Sequence, residues 1–133
     1  MSGRPPQVAV VGAAESAEIG TVSTLSSIGL ALDASRRALA DCGLTPADVD
    51  GVAAAGLQPY LATQIAHSLG IEATWVDGTM IGGCSNLAQL RHAAAAIHAG
   101  HCRVVLIAHG ESGRSRIGGP IFRNGPDTWS GQF

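Results

Sequence analysis

Aromatic side chains are few in this chain, two Trp, two Phe and one Tyr, 4% of its 133 residues. That scarcity argues against a large aromatic ligand pocket and for close packing of small side chains. Charge is also sparse, at 14% Asp, Glu, Lys and Arg with a net charge of −2. This gives no electrostatic case for a nucleic-acid partner. No apolar run approaches the ~20 residues needed to span a bilayer. The opening "MSGRPPQ" leads into only a short apolar run, "VAVVGAA", too abrupt for a secretory signal, so a cytoplasmic location is expected. The three cysteines (Cys42, Cys84 and Cys102) form no CxxC pair and are expected to be free thiols in a reducing compartment. The five histidines are scattered without metal-ligand spacing, so no metal site is expected. A GxGxxG fingerprint is absent too, because Ala14 breaks the second glycine of "VVGAAESAEIG", which weakens any dinucleotide-binding reading.

What is present is alanine and aliphatic residues, in a chain 46% hydrophobic, together with 18 glycines, in a length that suits one domain with a real core. "QVAVVGAAES" reads as a buried strand closed by Gly12. "LALDASRRALADCG" is an amphipathic helix with Leu32, Leu39 and Ala40 on one side, Arg36, Arg37 and Asp41 on the other, and Gly43 just past its end. A Thr-Pro-Ala-Asp turn precedes a short strand, "GVAAAG". "YLATQIAHSLGI" spaces Leu61, Ile65 and Leu69 as a second helix, and "EATWVDGT" is strand-prone. In "TMIGGCSNLAQLRHAAAAIHAG" a third helix is expected, with Leu87, Leu90, Ala94 and Ile97 as its apolar stripe. "CRVVLIAHG" is a continuous apolar strand. The alternation β-α-β-α-β-α-β predicts an α/β layered fold with a mainly parallel sheet. The Gly- and Pro-rich tail from Glu111 has no sustained period, which points either to an excursion toward a second unit or to a chain that stops partway through a larger protein.

The chemistry gathers at Gly82-Gly83-Cys84-Ser85-Asn86. A helix N-terminus has unpaired N–H groups and about half a positive charge, which favours a thiolate and equally an oxyanion. The same pattern also serves as an ordinary packing turn, and free cysteine is among the most buried residue types. Both readings of Cys84 stand at this level. His109 and Glu111 end the last strand, where open α/β sheets place their sites, and a structural role for the two stands equally beside a functional one. Cys102 is expected in the core, and Trp75 and Trp129 in packing or an interface.

The phrases "VAVVGAAES", "ALDASRRALADCGLTPADVDGV" and "QLRHAAAAIHAGHCRVVLIAHGES" together resemble the N-terminal half of the thiolase superfamily, over essentially the whole chain. The resemblance implies a layered α/β/α/β/α fold of two duplicated halves. Residues 1–112 would be the first half-domain and 113–133 the start of a loop domain. It also implies a homodimer through the 72–78 strand. The family's catalytic histidine and second cysteine would lie in the other half.

One departure matters. The family's nucleophile sits eight residues before the position matched by Arg91, and counting back gives Gly83, not Cys84. One residue on a helix turns a side chain by ~100°. Glycine at that position resembles a subgroup of lipid-transfer proteins and non-specific thiolases that includes steroid side-chain aldolases working with a DUF35-type OB-fold partner. That likeness implies retro-aldol cleavage of a β-hydroxyacyl-CoA, with coenzyme A thioester as substrate and no covalently bound cofactor. Gly83, Cys84, Ser85 and Asn86 would then supply backbone donors. The rival expectations are a Claisen-type acyltransferase using Cys84, a non-catalytic acyl-CoA-binding or partner-stabilising subunit, and an unrelated small nucleotide-binding domain.

Overall fold

The computed structural model describes residues 8–56, 58 and 60–117. Three helices, α1 (Ser27–Asp41), α2 (Leu61–Leu69) and α3 (Ser85–His98), alternate with three strands, β1 (Gly51–Ala55), β2 (Trp75–Asp77) and β3 (Val105–His109). Ser26 caps α1 by accepting a hydrogen bond from the Gly29 amide at 3.2 Å. Each helix stops at a glycine with positive φ, Gly43, Gly70 or Gly100. The next amide then bonds back around the turn, Leu44 to Leu39, Ile71 to Ala66 and His101 to Ala96.

The sheet order is β2-β1-β3 and every pairing is parallel, with Gly51 level with Trp75 on one side and Val105 on the other. Strand β1 is buried along its whole length, as a central parallel strand must be. Alternation along β1 sends Val52 and Ala54 into a cluster with Ala31, Leu61, Ile65 and Leu106 beneath α1 and α2. The opposite face carries α3. At the start of β1, Asp50 ties the sheet together. Its Oδ1 accepts from the Arg103 and Val104 amides at 2.8 Å each, while its carbonyl takes the Thr74 amide.

Two expectations fail. The first strand does not form: residues 8–14 are not strand, and Val10 and Val11 are 70% and 65% exposed. The segment lies along α1 instead. Gly12 sits against the Ala38 carbonyl, and the Ala13 amide donates to Asp41. The backbone is thus paired with a helix side chain rather than a sheet edge, and one helix face cannot cover both sides of an apolar run. The second failure concerns helix faces. Ala40 is exposed on α1, and half of the expected stripe of α3 points outward: Leu87 is 72% and Leu90 40% exposed, while Ala94 and Ile97 are half-buried. The buried face of α3 is Ser85, Gln89, Ala93 and Ala96. Small and polar side chains there let the helix sit close to the alanine-rich β1. Cys102 is in the core as expected. Trp129 and most of the 113–133 span lie outside the described residues.

Candidate active site

All three strands run parallel, so their carboxyl ends share one edge of the sheet. From that edge β1 leads to α2 on one face and β2 leads to α3 on the other. A crevice opens where the two connections part. It has a volume of about 270 Å³ and is lined by Ala54, Gly56, Tyr60, Leu61, Val76 and Gly78, among others. The turn from β2 into α3, residues 78–84, leaves from this edge.

That turn is built by hydrogen bonds to polar side chains. Asp77 Oδ1 accepts from the amide and hydroxyl of Thr79 at 2.8 and 2.6 Å, and Asp77 Oδ2 lies 2.8 Å from His92 Nδ1. Gln89 Nε2 donates to the Thr79 carbonyl at 3.0 Å. The Ser85 hydroxyl accepts from the Ile81 amide and donates to the Gly82 carbonyl. Burial raises the pKa of Asp77, but the bonds from Thr79 and His92 outweigh it. Its carboxyl is therefore held below the ordinary carboxylate range.

The four predicted residues are consecutive and run from the turn through the N-cap, Cys84, into the start of α3 at Ser85 and Asn86. Gly82 has φ 84°, which aims the chain into the helix. A Cβ built on Gly83 meets nothing within 4 Å, so open space lies beside it. Cys84 is the N-cap; it is exposed, and its sulfur faces the Ile81 carbonyl at 3.7 Å. A carbonyl is no base, so this contact does not activate the thiol. Ser85 is buried with its hydroxyl fully engaged, and its amide is bonded to Gly82. Among the described residues, the amides of Gly83, Cys84 and Asn86 are left without such a bond, three donors at the positive end of a helix.

His109 stands apart from this turn, at the end of β3. Its Nδ1 lies 2.7 Å from the Ala55 carbonyl, and its Nε2 lies 3.7 Å from Glu111. Because a carbonyl only accepts, Nδ1 carries the hydrogen and Nε2 is left as the acceptor in the neutral ring. Among the described residues no group of three His, Cys, Asp or Glu side chains is placed to hold a metal. No helix of the described residues is long and apolar enough to cross a membrane.

Sequence reasoning located the glycine–cysteine turn but missed Asp77, Gln89 and His92. Their signal was present as polar residues at 85, 89 and 92, one face of a helix.

No family model matches the chain. Solved structures do. An Ltp2-ChsH2(DUF35) aldolase aligns over 82% of this chain and 30% of its own, with 31% identity and a TM-score of 0.66. A monomeric SCP2-thiolase-like protein type 1 from Mycobacterium smegmatis aligns over 73% of this chain and 22% of its own, with 30% identity and a TM-score of 0.60. In fold and sequence the chain is therefore thiolase-like, of the lipid-transfer kind. The particular relative is an enzyme: 101 residues are 35% identical to the 17-hydroxy-3-oxo-4-pregnene-20-carboxyl-CoA lyase of Mycobacterium tuberculosis, covering 75% of this chain. The match takes in 26% of that lyase, so the chain spans about a quarter of the relative's length.

Proposed function

We propose that this chain supplies the oxyanion-binding turn of a thiolase-like acyl-CoA lyase, which cleaves a β-hydroxyacyl-CoA by retro-aldol chemistry without a cysteine nucleophile. In that reaction a base removes the β-hydroxyl proton and the C–O bond becomes a carbonyl. The Cα–Cβ bond breaks, and its electron pair moves into the thioester as an enolate. The enolate oxygen is the charge that must be stabilised, and preorganised N–H groups do this best in a site shielded from water. The amides of Gly83, Cys84 and Asn86 fill that role, and the base is supplied from outside this stretch.

The observation that carries the reading is the open space beside Gly83 at the start of α3, next to a sulfur turned toward a carbonyl. The names of the relatives, a carboxyl-CoA lyase and a DUF35-containing aldolase, support a CoA thioester substrate and a DUF35-type partner. Pairing of two copies through the outer edge of β2, unpaired among the described residues, belongs to the same proposal.

In the full-length polypeptide, with its partner, Cys84→Ala keeps the backbone amide and is expected to retain most lyase activity. An inactive variant, with acylated Cys84 in the parent protein by mass spectrometry, would move the case to Claisen chemistry. The exposure of that thiol at a helix N-cap is what favours the second reading.

A further inference from the structure

Three side chains of α3, the buried Ser85 and Gln89 and the exposed His92 beside them, bond backward onto the turn that delivers the helix. Ser85 holds Ile81 and Gly82, Gln89 holds Thr79, and His92 holds Asp77, which in turn holds Thr79. The segment is therefore gripped at four of its six positions from 77 to 82. Gln89 is fully buried, yet its Oε1 has no partner among the described residues. An idle buried carbonyl is costly, and an apolar side chain of similar size would avoid that cost. What glutamine provides here and methionine does not is the Nε2 donor to Thr79.

We propose that Gln89 and His92 are positioning residues that hold the Thr79–Cys84 turn, so that the amides opening α3 point in one direction before any ester arrives. The inference rests on the reading of those amides as the oxyanion donors, which need orientation rather than chemistry from their neighbours. His92 serves through Nδ1–H, because Asp77 Oδ2 in the carboxylate only accepts. The groups around its ring are Asp77 from β2, the Thr79 hydroxyl at 3.4 Å from Nδ1, and His101 from the turn before β3, which lines the same cleft.

Amide hydrogen exchange read by mass spectrometry on the full-length polypeptide, without ligand, tests the grip. His92→Phe removes the donor, His92→Asn keeps an N–H where Nδ1 stands, and Gln89→Met keeps the volume of Gln89 without its amide. Exchange across Thr79–Leu87 is expected to rise about tenfold in H92F and Q89M. It should stay within about twofold of the parent in H92N, with β1 and β3 unchanged in all three. Unaltered exchange in H92F and Q89M, or acceleration spread evenly into β1 and β3, would overturn the proposal. Turnover separates this from the function itself: kcat should fall in H92F with KM preserved and recover in H92N. Faster exchange with unchanged kcat would instead overturn the donor reading of the turn.

Discussion

Asp50 shows how much one side chain can hold at the scale of a residue. Its carboxylate satisfies two backbone amides of the approach to β3, while its carbonyl takes the approach to β2. The Arg103 guanidinium, 3.5 Å away and 88% exposed, adds little to this. Asp50→Ala leaves two backbone donors without their acceptor and should cost about 2–3 kcal/mol in denaturant unfolding. Asp50→Asn, which keeps Oδ1, should cost less. Burial raises the Asp50 pKa, but the amides of Val104 and Arg103 outweigh it and the net shift is downward. The sign of the pH effect follows. A depressed carboxyl contributes fully above its unfolded pKa, and that contribution is lost as pH falls through the folded value. Stability should therefore decline below about pH 4, and part of that decline should vanish in D50A. Equal slopes for parent and variant would refute the assignment. None of this could be read from the sequence, where Asp50 is one acid in "PADVDG". The glycine–cysteine turn was legible because a strand, a glycine pair and a helix signal meet there.

At the scale of the element, α3 carries the instructive error. Leu87, Leu90, Ala94 and Ile97 have helical spacing, and spacing alone assigns them to the core. The sheet below is paved with alanine and glycine, so the face that fits is the one with serine, glutamine and alanine. Periodicity tells which residues share a face but not which face a neighbour covers. The same limit explains the lost first strand, whose β-branched run has the right composition but lies along α1 rather than on a sheet edge. The remaining strands and all three helices were legible because glycine stops and continuous apolar runs are local signals. The orientation of α3 can be checked directly. Leu87→Gln and Leu90→Gln should each change stability by no more than about 0.5 kcal/mol. Ala93→Leu, 3% exposed in the parent, should cost about 1–3 kcal/mol by overpacking. The reverse ranking in chemical denaturation would mean that the helix is turned the other way.

For the whole molecule, the open question is what meets β2. In a parallel ladder alternate residues bond to the same neighbour. The Trp75 amide turns to Asp50 on the β1 side, so Val76, paired with Val52, presents its own N–H and C=O to the other edge, which no strand among the described residues pairs. Val76 is also 46% exposed. An unpaired edge with an apolar side chain is a template for another strand. Beside it a cleft of about 450 Å³, lined by Trp75, Val76, His92, Ala95 and Ala99 among others, runs along α3. A second copy joined through this edge would cover both features. The fold alone does not dictate that outcome, since the similar Mycobacterium smegmatis structure is of a monomeric protein. Sedimentation velocity decides it. The parent polypeptide should sediment as a dimer, and Val76→Pro, which removes the outward donor while leaving the bonds to β1 in place, should sediment as a monomer with its far-ultraviolet circular dichroism intact. A parent that stays monomeric at high micromolar concentration would place the pairing surface elsewhere.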